Sequence, residues 1–236
     1  MKILSTMRAG PVVRQSLYSP KDPNPTRRRS AISIPKEEKQ RANLKTSSEK
    51  LLMLMCANFS PGDWWITLTY DNDHLPATRE ESHPYFRKSM RWMRKYRKDN
   101  REPLAYVYCT QLTTRGGGIR LHHHMVMRFE DDADEEKIRS LWKWGEVVHI
   151  RKLKDYDDII DKAHYMCREP RELGVHVPGE QMWTASRGLY RPKNQYTVID
   201  NDAVDISVPV GCIELSEPVQ LPGYGGYKTI LYYENK

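Results

Sequence analysis

The sequence predicts an α+β fold, a central antiparallel sheet flanked by helices in a sandwich, and three observations carry that prediction. Residues 64–70, WWITLTY, set Trp64, Ile66, Leu68 and Tyr70 in alternation with Trp65, Thr67 and Thr69, the period of a strand buried on at least one face. Residues 104–112 and 119–129 are two more strand-like runs, joined by Arg115-Gly116-Gly117-Gly118, and predict an antiparallel hairpin. Segments of helical period separate these strands and follow them, in the order β-α-β-β-α-β-α.

Taken from the start, residues 1–46 are rich in Pro, Arg and Ser, including Pro20, Pro23, Pro25 and Arg27-Arg28-Arg29, and read as a basic, partly extended arm. Ser47 or Ser48 can cap a short helix in which Leu51, Leu52, Met55 and Phe59 recur at helical spacing, and Pro61-Gly62 ends it. Pro84 fits the first turn of a helix running to about Asn100. Its apolar stripe is Phe86, Met90 and Met93, and Arg87, Lys88, Arg91, Arg94, Lys95, Arg97 and Lys98 cover the rest. An acidic stretch (Asp131, Asp132, Asp134, Glu135, Glu136) suits the N-terminal dipole of a helix ending near Trp144-Gly145. A strand over 146–153 and a helix over 155–168 complete the central part, read as 47–195. Residues 196–236, with strand-like runs at 196–199 and 229–233, form a C-terminal β-rich appendage.

With 39% hydrophobic and 29% charged residues, the 236-residue chain can bury a core, which excludes wholesale disorder. No apolar run reaches the roughly 18 residues of a membrane span, and the N-terminus has no signal-peptide pattern, so a cytoplasmic protein with no membrane partner is expected. Cys56, Cys109, Cys167 and Cys212 form no C-x-x-C pair, which speaks against a zinc knuckle and a disulfide framework. Residues 1–62 hold 12 Lys and Arg against 4 Asp and Glu, while the rest of the chain is near neutral. Such a leader suits either phosphate contact or a solvated tail.

The chemistry concentrates in Arg120-Leu121-His122-His123-His124. On a strand, His122 and His124 share a face and can chelate one divalent cation, while His123 points to the other face. Gln111, at the end of the partner strand, can reach across the hairpin with its carbonyl oxygen. Two imidazoles and an amide oxygen without thiolate suit Mn²⁺ or Mg²⁺. On the helix 155–168, Tyr156, Ile160, Ala163 and Cys167 form the apolar stripe, and Tyr165 lies off it, flanked by Lys162 and Arg168 three residues away on either side. A phenol is a weak nucleophile at neutral pH, so nearby cations and a metal-polarised phosphate would ease its attack.

Four ordered blocks resemble the HUH endonuclease superfamily, most closely the replication-associated proteins of the phage gene II and ORF2 type. They are Asn58-Phe59-x-x-Gly62-Asp63 leading into Trp65–Tyr70, then His122-His123-His124, then Leu141-Trp142-x-x-Gly145 leading to Tyr165-x-x-Arg168, and finally Ser186-Arg187-Gly188-Leu189-x-Arg191-Pro192. The resemblance implies a rolling-circle replication initiator. Such an enzyme nicks single-stranded or melted origin DNA through a 5′-phosphotyrosyl intermediate on Tyr165, with one metal on His122, His124 and Gln111 and a free 3′-hydroxyl as primer. It implies origin-hairpin DNA as partner, the basic helix residues Arg87, Lys88, Arg91, Arg94 and Lys95 as DNA contacts, a helicase and polymerase from the host, and a bacterial cytoplasm. The chain departs from the family where Arg168 replaces a lysine, Gln111 a glutamate and Asp161 a second tyrosine. A relaxase or single-strand transposase of the same superfamily, and a catalytically inert origin- or RNA-binding protein, are the alternatives.

Overall fold

The structure, a computed structural model, describes residues 1–19, 36–99, 103–113, 118–128, 133–145, 148–172, 181–200, 204–221 and 227–234. Two compact units emerge, one of Met1–Ala42 with Tyr190–Lys236, the other Asn43–Leu189.

In the first unit, β1 (Lys2–Ala9) and β2 (Val12–Tyr18) form a hairpin about Gly10, whose φ of 54° lies in the left-handed region that glycine tolerates. They are joined by β8 (Gln195–Ile199), β9 (Ile213–Leu221) and β10 (Tyr227–Tyr233) in the antiparallel order β8-β1-β2-β10-β9. Val13, Leu17, Ile230 and Tyr232 bury one face with Ile206. Residues 2–18 are thus paired strands where the sequence suggested an open arm, and the C-terminal runs are their partners. The local signal was weak because every partner of the hairpin but itself lies some 180 residues or more away in the chain. The Arg27-Arg28-Arg29 run lies outside the described residues.

The second unit carries the other sheet. Helix α1 (Lys36–Asn58) begins eleven residues before the serine caps predicted for it, since Lys, Glu, Gln, Arg and Ala continue a helix well and Ser48 is buried within it. The turn containing Gly62, φ 98°, leads into β3 (Trp64–Thr69). Then come α2 (Arg79–Asp99), β4 (Tyr106–Thr113), β5 (Ile119–Met127), α3 (Ala133–Leu141), β6 (Val148–Lys152), α4 (Tyr156–Met166), α5 (Arg168–Glu172) and the two-residue β7 (Thr184–Ala185). The sheet order is β6-β3-β5-β4-β7, all antiparallel. The predicted order of elements holds here, and β7 is an addition. Helix α2 starts a turn before the position Pro84 suggested, because Thr78 caps it: its hydroxyl accepts from the Glu81 N–H at 3.2 Å, and Glu81 reaches back to the Ala77 N–H at 2.9 Å.

Register separates the two faces. Trp64, Ile66, Leu68 and Tyr70 point the same way as Leu121, His123, Met125 and Met127, and meet Phe86, Met90 and Met93 of α2 and Ile138 of α3. Burying a side chain such as Met125 or Ile66 completely is worth about 1.5–3 kcal/mol, and this apolar face fixes the register. The other face carries Trp65, Thr67 and Thr69, His122 and His124, Cys109 and Gln111.

Candidate active site

Three neighbouring strands set the site. Thr69, His122 and Gln111 stand in one cross-strand row, and Thr67, His124 and Cys109 in the next. Directly opposed side chains in such rows are about 5 Å apart at Cβ, so the register brings Gln111 beside His122.

The imidazoles converge. His122 Nε2 and His124 Nε2 are 3.0 Å apart, with rings nearly perpendicular. His122 donates its Nδ1–H to the Arg120 carbonyl at 2.8 Å, which leaves a lone pair on Nε2. His124 Nδ1 is held by the Thr67 hydroxyl at 3.1 Å, a group that donates or accepts and so suits either tautomer. The amide of Gln111 is buried; its Nε2 donates to the Tyr165 carbonyl at 2.9 Å, and its Oε1 has no hydrogen-bond partner among the described residues. A buried carbonyl oxygen left open beside two Nε2 atoms fits a divalent cation. No group of three His, Cys, Asp or Glu side chains able to hold a metal gathers among the described residues, so Gln111 is the protein oxygen on offer. Burial pushes the Cys109 thiol well above its usual range, which keeps it from serving as a thiolate.

Helix α4 brings the phenol to this face. Asp155 caps it, accepting from the Asp158 N–H at 2.8 Å, and Ile159, Ile160, Ala163 and Met166 are buried. The ring of Tyr165 is half-buried, edge-on to His124 at 4.9 Å and to Trp65 at 6.1 Å between centroids. Trp65 in turn stacks flat on His124 at 4.9 Å. The Arg168 guanidinium lies 5.2 Å from the centre of the Tyr165 ring. Lys162 sits elsewhere than beside the phenol: its Nζ is 3.4 Å from Asp158 and 5.7 Å from the centre of the Trp65 ring. Arg151 grips both oxygens of Asp158 at 2.6 and 2.7 Å and holds that carboxyl well below the usual range.

Glu169, which the helix pattern grouped with the polar residues around Tyr165, is fully buried. It accepts from Arg79 and from the Leu112 N–H, each at 2.7 Å, and locks α5 to β4 and α2. His123 is likewise a core residue, 0% exposed between the Tyr70 hydroxyl at 2.7 Å and the Thr110 hydroxyl at 2.9 Å. Burial, with lesser contributions from His122 and His83, lowers its pKa to about 3, so it stays neutral. Asp71 closes a turn through the N–H and ring of His74. In the closing block, Ser186 completes the edge of β4, exchanging hydrogen bonds with the Tyr106 backbone at 2.8 and 3.0 Å.

The basic helix is not part of this cluster. Arg87, Lys88, Arg91, Arg94 and Lys95 are all at least partly exposed, but α2 packs on the face of the sheet opposite the His pair. Arg94 donates to the Tyr106 hydroxyl at 2.7 Å. Trp92 stacks on Trp144 at 5.7 Å, and Lys88 lies over both rings. Sequence reasoning missed Trp65 and Thr67 as supports of His124. Their alternation was visible, but the pairing of β3 with β5 that makes them neighbours was not.

Residues 63–169 match the model of a family of replication-associated proteins, described by its ORF2 and phage gene II protein members. The stretch lies within the second unit and includes Gln111, His122, His124, Lys162, Tyr165 and Arg168. It supports a replication-associated protein of the Rep type. No curated protein and no solved structure matched the chain.

Proposed function

We propose that the chain is an HUH-type, metal-assisted endonuclease and strand transferase that starts rolling-circle replication, with Tyr165 as nucleophile. The observation that carries this reading is the meeting, on one sheet face, of two convergent Nε2 atoms, an open buried amide oxygen and a phenol ring against His124. The family match supports the replication role.

His122, His124 and Gln111 would hold Mn²⁺ or Mg²⁺, which when bound supplies Lewis-acid stabilisation of charge on a phosphate oxygen. The chain's own residues do the rest. The Tyr165 oxygen forms a bond to phosphorus as its proton leaves to solvent, and the bond from phosphorus to the 3′-oxygen breaks. That oxygen takes up a proton and leaves as a 3′-hydroxyl, while the phosphate stays on Tyr165 at the 5′ end. Trp65 restrains the planes of His124 and Tyr165, and Thr67 and the Arg120 carbonyl orient the imidazoles. Arg168 keeps a cation beside the phenol, which favours its ionised form. The phosphotyrosyl bond conserves the energy of the phosphodiester, so rejoining needs no ATP. Helicase and polymerase come from the host.

The cations of α2 would touch DNA beyond the scissile stretch, since they stand on the other side of the sheet. The test is cleavage of single-stranded origin DNA with Mn²⁺, scored by whether a polymerase extends the new 3′ end. Extendable product is expected. Tight binding of genuine origin DNA without cleavage in any divalent metal would instead favour the inert-binder reading.

A further inference from the structure

A cavity of about 280 Å³ opens next to the His pair, on the outer edge of β4 where β7 stops. Strand β4 runs from Tyr106 to Thr113, but β7 covers it only at Val107 and Tyr108. Tyr106 turns both its N–H and its C=O to that edge, where Ser186 takes them, and Leu112 turns its N–H the same way, onto Glu169. Thr110 lies between them in the alternation of an antiparallel ladder, so its backbone N–H and C=O face the cavity it lines. Tyr108 and Trp183 contribute aromatic rings to the walls, and Met166 and Met182 contribute thioethers.

Two features say what would fit. The wall's one guanidinium, Arg79, is engaged by the fully buried Glu169 at 2.7 Å, so the cavity is built for an uncharged group rather than a phosphate. The volume lies at the lower edge of small-molecule sites, roughly 300–1,000 Å³, the scale of one ring system rather than a whole cofactor. Flat rings for stacking and a peptide edge for hydrogen bonding together suit a nucleobase. The cavity also touches the active site, because Gln111 lines it and bonds the Tyr165 carbonyl, and Met166 follows Tyr165 in the chain.

We propose that this cavity seats one unstacked base of the bound single strand, the base of a nucleotide flanking the scissile phosphate, and so sets sequence preference at that position. The proposal rests on the nicking reading for its choice of ligand. Its test uses the full-length Tyr165→Phe protein, which cannot form the covalent intermediate, and an oligonucleotide it selects from a randomised single-stranded pool. An abasic residue is then placed at each position in turn. At one position, loss of the base should weaken binding about tenfold, the order expected for losing a base–aromatic stack. Adding Trp183→Ala should weaken the intact oligonucleotide by a similar factor and leave less than about a twofold further loss at that abasic position. His83→Ala, at another part of the wall, should reduce the same abasic effect, and it carries the test alone where Trp183→Ala does not fold. Abasic losses that neither cavity variant alters, or no position that stands out, would overturn the proposal. Covalent adduct formation by the unsubstituted protein reports the nicking reading separately. Coupling without adduct keeps the base site and removes the nuclease; adduct without coupling does the reverse. A pool that yields no binder removes both.

Discussion

Gln111 donates its side-chain amide to the main-chain carbonyl of Tyr165 at 2.9 Å while standing opposite His122 in the β4–β5 ladder. One side chain thus ties the strand beside the two imidazoles to the helix that presents the phenol, with its other amide atom left open.

Replacing Gln111 should therefore affect metal binding before it affects the fold. Gln111→Leu is expected to lower Mn²⁺ affinity by at least about tenfold in calorimetric titration, as for loss of a group that holds or orients a metal. Gln111→Glu, which restores an oxygen and adds charge, should bind at least as tightly as the parent. Equal affinity in the parent and Gln111→Leu would remove Gln111 from the metal site.

His123 gives a pH signature of the fold. It is neutral when folded, with its pKa lowered to about 3, whereas in the unfolded chain an imidazole takes up its proton near pH 6.5. Between those values the unfolded state binds more protons, so this contribution is complete above pH 6.5 and is lost as the pH falls toward 3. Urea unfolding at pH 7 and pH 5 should show His123 costing up to about 2 kcal/mol over that interval, a loss that His123→Gln escapes. Identical losses in both proteins would contradict the assignment.

Much of this second unit was legible in the sequence. The alternation in 64–70, the His-x-His strand and the glycine-rich connection gave three strands of the sheet and the face shared by His122 and His124. Tyr165 was found through its departure from an apolar stripe. The rest depended on contacts distant in sequence. The hairpin Lys2–Tyr18 looked like a tail because its stabilising partners come from the chain's other end. The basic stripe of α2 suggested a groove for the scissile strand, but periodicity gives a helix a wet face without saying which side of the sheet it covers. Lys162 shared a helix face with Tyr165, yet Asp158 one turn earlier is the group it meets.

Gly145 is needed for close approach. A Cβ built there would lie 1.7 Å from the Thr69 carbonyl oxygen, which also accepts from the Trp142 indole at 2.6 Å. Gly145→Ala must push backbone from backbone at the end of β3, and a loss of about 3 kcal/mol or more is expected in thermal or urea unfolding. A loss below about 1 kcal/mol would mean the segment relaxes freely.

The exposed cations of α2 make a separate, salt-dependent prediction. If four of them contact phosphates, changing Arg87, Lys88, Arg91 and Lys95 to Gln should flatten the plot of log affinity against log salt for single-stranded DNA by about 3, at roughly 0.7 per contact. An unchanged slope would leave that helix face without a DNA role.

The most direct test of the central claim is a denaturing gel of the purified protein after incubation with Mn²⁺ and labelled single-stranded origin DNA. The account predicts labelled DNA migrating covalently with the protein, and no such band with Tyr165→Phe or with EDTA. A band that persists in Tyr165→Phe would contradict it, because the nucleophile would then be another residue than the phenol beside His124.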